Sequence, residues 1–167
     1  ANGVTAIRSH IDVRTPAELT AVEALVEVRN TFQGLIDLQF AALGRPGQSH
    51  QEHAGMVEAL TLGVDYVGGV PSLCPDPIAE TDIIFALAEQ TGKPIDLHVD
   101  ETEDPNMLSL EYLAEKTIAH GMQGQVTAGH CCSLAFASDE TAKRVIDKVA
   151  EAGIHIITLP SCNLVLM

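Results

Sequence analysis

Two histidines delivered by apolar runs are the first chemistry this chain offers. The stretch Ile95-Asp96-Leu97-His98-Val99-Asp100-Glu101 reads as a buried strand closing on a histidine, with a carboxylate three positions further on. About thirty residues later Val126-Thr127-Ala128-Gly129-His130 repeats the pattern. A strand end fixes the direction of an imidazole at the rim of a sheet, and neutral imidazole is a good ligand for zinc or iron. A carboxyl group within reach can carry protons by general acid–base catalysis. One such histidine is ordinarily a satisfied core or surface residue. Two of them, one followed by an acid, point instead to a metal or substrate site.

Other candidate groups carry less. His50 and His53 lie three apart and could share a helix face, but they open a helix that Ser49 would cap, so two solvated imidazoles are expected. Glu101 stands among Asp100, Glu103 and Asp104, a run that on its own reads as an exposed acidic turn. His10 and Asp12 either line the mouth of the fold or bond each other. Cys74, Cys131, Cys132 and Cys162 match no zinc ribbon or Cys-x-x-Cys pair, and reduced thiols of a cytoplasmic protein are expected. Cys131 and Cys132 are expected to pack behind His130. The lysines Lys93, Lys116, Lys143 and Lys148 fall before a strand or on helices, which disfavours Schiff-base chemistry.

These groups need a scaffold, and the chain repeats one. Strands are expected at Val4–Asp12, Leu35–Ala42, Val64–Val70, Ile95–Val99, Gln125–Ala128 and Ile154–Leu159. Helices are expected between them at Thr15–Asn30, Gln51–Leu62, Ile78–Gln90, Met107–His120 and Asp139–Ala152. Thr15, Pro16 and Glu18 look like a capping box with proline in the first turn. Strand–helix units recurring about every thirty residues define an α/β fold with a parallel sheet, and near-continuous apolar strands fit a sheet covered on both faces.

No Gly-x-Gly-x-x-Gly follows any strand, which removes the main signal of a dinucleotide-binding open sheet. Polar residues instead collect where strands end: His10 and Asp12, Arg45, His98 and Glu101, His130, and Asn163. In a (β/α)₈ TIM-type barrel all these ends converge on one mouth. Six units do not close eight. The expectation is therefore one incomplete barrel domain over residues 1–167, a segment of a longer protein, with a stand-alone open sheet of six units as the alternative.

Apolar residues make up 46% of the 167 and charged residues 19%, a globular composition. The net charge of −14 with scattered basic residues argues against nucleic acid, since phosphate binding needs a basic surface, so no nucleic acid partner is expected. No apolar run reaches the roughly twenty residues needed to cross a bilayer, so no membrane partner is expected. No secretory leader is recognised, and a cytoplasmic location is expected.

Taken together in order, six stretches resemble the amidohydrolase superfamily, and within it the cytosine deaminase-like metal-dependent hydrolases. They are Ile7-Arg8-Ser9-His10-Ile11-Asp12-Val13, Ile36-Asp37-Leu38-Gln39, Asp65-Tyr66-Val67-Gly68-Gly69-Val70-Pro71, Asp96-Leu97-His98-Val99-Asp100-Glu101, Val126-Thr127-Ala128-Gly129-His130 and Pro160-Ser161-Cys162-Asn163. The resemblance implies strands two to seven of the family's barrel. It also implies a metal ligand at His98, a proton-shuttling acid/base at Glu101, and His130 beside the attacking hydroxide and developing oxyanion. One divalent metal ion, zinc or iron, is implied, completed by a His-x-His of strand one and an aspartate of strand eight that are absent from this sequence.

Implied partners are a small heterocyclic substrate and water, with a homo-oligomer expected. His10, Arg45 and Asn163 are candidate substrate-binding residues. Cytosine-specific members carry a glutamine where Arg45 falls; a guanidinium offers only donors, which favours an oxo-rich, anionic or triazine-like ring over cytosine. The implied activity is hydrolysis of a C–N bond in a cyclic amidine or amide, most simply deamination. The alternatives are N-alkyl amine removal from a triazine-like ring, or a non-catalytic barrel fragment or binding subunit.

Overall fold

The computed structural model describes residues 3–166. Six strands alternate with helices: β1 (Ala6–Asp12), α1 (Thr20–Thr31), β2 (Asp37–Leu43), α2 (His50–Thr61), β3 (Tyr66–Gly69) and α3 (Pro77–Thr91). The second half continues with β4 (Ile95–Val99), α4 (Ser109–Ala119), β5 (Val126–His130), α5 (Asp139–Glu151), β6 (His155–Ile157) and the short α6 (Pro160–Leu166). The strands pair in chain order, every pair parallel. This is a half-barrel, an incomplete (β/α)₈ fold. No helix among the described residues is long and apolar enough to cross a membrane.

The two faces of the sheet divide the work. Phe40, Ala42, Val67, Ile95, Leu97 and Val126 point one way and are buried in the main core with residues of the covering helices, among them Met56, Phe85, Leu113 and Val145. The alternate residues face the barrel interior, and there the chain places polar side chains. Arg8, Gln39, Tyr66, Asp96 and Thr127 are joined by hydrogen bonds from the Arg8 guanidinium. Barrel interiors are usually filled with branched apolar residues, so this polar filling is a departure tied to the groups above it.

Space between strands is tight at β3. A Cβ on Gly68 would lie 2.5 Å from the Ala42 carbonyl oxygen and 3.3 Å from that of Asp96, both backbone atoms of flanking strands. Gly68→Ala is expected to destabilise the protein by about 1–3 kcal/mol, as overpacking of a rigid core does. The midpoint of chemical denaturation measures it.

Most elements fall where the periodicity puts them, and the differences have local causes. Thr15 makes no side-chain cap; Pro16–Glu18 forms a single 3₁₀ turn, and α1 starts later, at Thr20. The Glu18 amide bonds the Thr15 carbonyl rather than its hydroxyl. Ser49 does cap α2, accepting from the Glu52 amide at 3.1 Å. His98 is the penultimate residue of β4, and β5 runs through to His130. The sixth strand is shorter than expected, because Pro160 opens a helix that carries Asn163.

Candidate active site

Adjacent strands β4 and β5 bring His98 and His130 side by side. Val99 pairs with His130 and His98 with Gly129 in the ladder. The His98 ring packs against the His130 ring at 4.9 Å between centroids. The facing nitrogens, His98 Nδ1 and His130 Nε2, are 3.0 Å apart.

Both strands end in backbone that L-residues rarely adopt. Asp100, His130 and Cys131 have φ of 49°, 67° and 55°. Such left-handed positions cost roughly 1–2 kcal/mol each and persist where the surroundings impose them. At β4 the surroundings are clear. The Asp100 carboxylate, only 1% exposed, accepts from the amides of Ser109 and Leu110 at 3.1 and 3.0 Å and from the Ser109 hydroxyl. Its carbonyl accepts from Ser133 at 3.2 Å. Asp100 is thus the cap of α4 and no part of an exposed acidic turn. Burial pushes its carboxyl up, while these donors oppose the rise.

That turn returns Glu101 to the site. Glu101 Oε1 lies 3.1 Å from His130 Nδ1, and Asn163 Oδ1, reaching in from α6, lies 3.0 Å from the same nitrogen. A carboxylate and an amide oxygen only accept, so His130 Nδ1 carries the proton and its Nε2 presents a lone pair to His98. Burial holds the His98 imidazole below its ordinary pKa of 6.5, helped by the neighbouring His10 and His130. Neutral imidazole is the form that binds metals.

The donor set fits a divalent cation. Ligand atoms of His98, Glu101 and His130 all lie within 4.8 Å of one another. Ligands of a tetrahedral zinc with bonds near 2.0–2.1 Å sit about 3.3 Å apart, close to the 3.0 Å between the two imidazole nitrogens. Two nitrogens this close share one proton or converge on one ion.

His10 lines the same cavity of about 250 Å³ with Arg8, Asp96, His98 and His130. Its Nε2 makes no hydrogen bond, and the carboxylate it approaches, at 3.3 Å, is that of Asp96 and not Asp12. Asp96 is missing from the sequence-based candidates. Burial alone would raise its carboxyl, but His10 and Arg8 outweigh that and hold it below the usual carboxylate range. A signal existed: Arg8-Ser9-His10 and Asp96-Leu97-His98 each put a charge two residues before a histidine, on one face of a strand.

Arg45 lies elsewhere. It borders a separate cavity of about 270 Å³ with Asp12, Arg14 and Glu52 at the carboxyl ends of β1 and β2, its guanidinium 3.6 Å from Glu52. The cysteines are all unpaired thiols, with Cys132 buried next to His130 and Cys131 pushed up to about 12 by burial. His50 is exposed and His53 half-buried at the start of α2.

An incomplete parallel barrel with His, Glu and His gathered at its strand ends defines a class, and comparison with known proteins gives the same one. The chain matches the amidohydrolase family model over residues 1–166, and it belongs to that family. A pterin deaminase from Rhizobium rhizogenes is 40% identical over 169 residues, 99% of this chain and 38% of the relative. The N-isopropylammelide isopropyl amidohydrolase of a Pseudomonas species is 30% identical over 161 residues, 94% of this chain and 40% of that protein. Among solved structures, 5-methylcytosine deaminase from Klebsiella pneumoniae with bound phosphonocytosine superposes with a TM-score of 0.90 at 32% identity. It covers 97% of this chain and 40% of that one. This chain therefore spans about two-fifths of the length of these relatives.

Proposed function

We propose that the protein carrying this chain hydrolyses an exocyclic C–N bond of a small heterocycle, replacing an amino group by oxygen and releasing ammonia. The observation that supports it is the convergence of Glu101 Oε1, His130 and His98, at 3.1 and 3.0 Å in series, beside an open cavity at the strand ends. In this reading His98 holds a divalent metal, zinc or iron, which when bound lowers the pKa of water from about 15.7 to near 7 and so supplies hydroxide at neutral pH.

The remaining steps belong to the chain's own residues. Glu101, having taken a proton from the nucleophile, delivers it to the ring nitrogen next to the attacked carbon and makes that carbon electrophilic. It then takes the remaining proton of the hydroxyl now on that carbon and passes it to the amine, so that the C–N bond breaks, ammonia leaves and the ring carbonyl forms. His130, held by its Nδ1–H on Asn163 with Glu101 Oε1 3.1 Å from the same nitrogen, keeps one orientation and steadies charge developing beside it. Asn163 acts here through His130. His10 forms part of the wall against which the ring lies.

The relatives and Arg45 support a choice among substrate classes. The 40% identical relative is named for pterin, which favours a bicyclic amino-oxo ring. A second reading, removal of an N-alkyl amine from a triazine-like ring, is favoured by the 30% identical isopropylammelide relative. A panel of pterins, pyrimidines and N-alkyl triazines, assayed with the full-length protein for ammonia against alkylamine, separates the two. Ammonia release from a pterin is expected; turnover of none of the panel removes the enzyme reading.

In this reading a substrate that reaches from the histidines into the neighbouring cavity sets an oxo or anionic substituent against Arg45, which borders that cavity beside Glu52. Arg45→Gln is expected to shift the ratio of kcat/KM between an oxo-rich ring and cytosine by about 10-fold or more, the worth of one polar contact of about 1.5–3 kcal/mol. An unchanged ratio takes Arg45 out of the substrate pocket.

A further inference from the structure

The barrel interior beneath the site holds a group of side chains that carry none of the proposed proton transfers. Arg8 and His10 on β1, and Asp96 on β4, meet across the barrel from strands that do not touch each other in the sheet. Asp96 is 2% exposed, and its carboxylate is held by Arg8 Nη1 at 2.7 Å and faces His10 Nε2 at 3.3 Å. Arg8 is itself fixed from three other strands: it bonds Gln39 and Thr127, and its guanidinium donates to the Tyr66 hydroxyl and stands 3.8 Å from that ring's centre.

Stability does not account for this arrangement. A buried ion pair contributes little net stability compared with apolar residues of the same volume, and barrel interiors ordinarily use the latter. What a pinned ion pair does supply is direction. With its Nε2 at Asp96, His10 sets its ring at 84° to that of His98, with 4.7 Å between centroids, an edge-to-face contact. His98 is thus held between the His10 ring on one side and the His130 nitrogen at 3.0 Å on the other.

We infer that Arg8, Asp96 and His10 form a buried positioning chain that sets the angle of the His98 imidazole, and through it the strength of metal binding. The inference rests on the reading of His98 as a metal ligand. His10 makes no bond to the metal in this scheme; it acts through His98. Groups that orient a ligand from outside the coordination shell typically matter by about 10–100-fold in metal affinity or activity.

Two variants of the full-length protein test it. His10→Phe keeps an aromatic ring at the contact but removes the nitrogen that faces Asp96 at 3.3 Å. Asp96→Asn keeps an acceptor of the same length for Arg8 and His10 but removes the charge. Zinc affinity is measured by chelator competition, the His98 ring by imidazole ¹⁵N NMR of zinc-free protein, and folding by thermal melting. His10→Phe is expected to bind zinc about 10–100-fold more weakly, with shifted His98 ring signals and a melting temperature like that of the wild type. Asp96→Asn is expected to fall between the two, and it carries the same readouts if His10→Phe does not fold.

Unmoved His98 signals, or wild-type zinc affinity in a folded variant, overturn the inference. If the wild type binds neither zinc nor iron(II) while the His98 signals still move, the metal reading of His98 fails and with it the effect on metal binding, and only the positioning of the ring stands.

Discussion

Glu101→Gln is expected to lower kcat for C–N hydrolysis by about 10²–10⁴-fold, the usual range for a positioned proton carrier. The amide keeps the length of the side chain, and its oxygen can still accept from His130 Nδ1, now 3.1 Å from Glu101 Oε1. What it loses is the ability to take a proton and give it up. The loss should therefore fall on kcat, with KM, metal content and melting temperature near wild type. Steady-state ammonia release checks the first, elemental analysis and thermal melting the rest. A variant with full kcat would mean that the proton travels by another route, and that Glu101 only braces His130.

The parts of this site that could be read in the sequence are those encoded by nearest neighbours along one strand. His98 and His130 stand out because each ends or nearly ends an apolar run, and strand geometry then puts them on adjacent rungs of the ladder. Glu101 could be placed only as far as the same rim, because its return depends on the left-handed turn at Asp100. That turn is imposed from outside the strand. Asp100 caps a helix nine residues further on, whereas a cap residue ordinarily sits directly before its helix, so its acid reads as loop.

Asp96 was hidden for the opposite reason. It lies within an apolar strand, and the cation that neutralises it is 88 residues away in the chain. No local window contains both partners. The half-barrel itself was legible because strand–helix repetition is a local property, repeated six times. Thr15 shows where local rules mislead. Its motif satisfies every requirement of a capping box, yet a 3₁₀ turn forms and the helix begins at Thr20.

His98→Ala should separate an enzyme from a binding module more sharply than any other single change. If His98 is a metal ligand, its loss should weaken metal binding by more than about 100-fold, since outer partners alone account for 10–100-fold. Activity should fall with metal content, and added zinc in excess should restore little, because the lost group is a bond and not an orientation. The fold should survive. The His98 ring borders an existing cavity of about 250 Å³, so truncation widens a space that water can enter and leaves the packed core unbroken. The chief structural penalty is that His130 Nε2 loses its partner at 3.0 Å, about 1–3 kcal/mol for a buried group and less where water replaces it. Elemental analysis of purified wild type and variant, read beside their melting curves, decides the matter. Metal retained at wild-type level in a folded His98→Ala protein would leave the three converging groups without the ion they are proposed to serve. Activity persisting in that variant would go further: it would require the water to be activated by Glu101 and His130 alone.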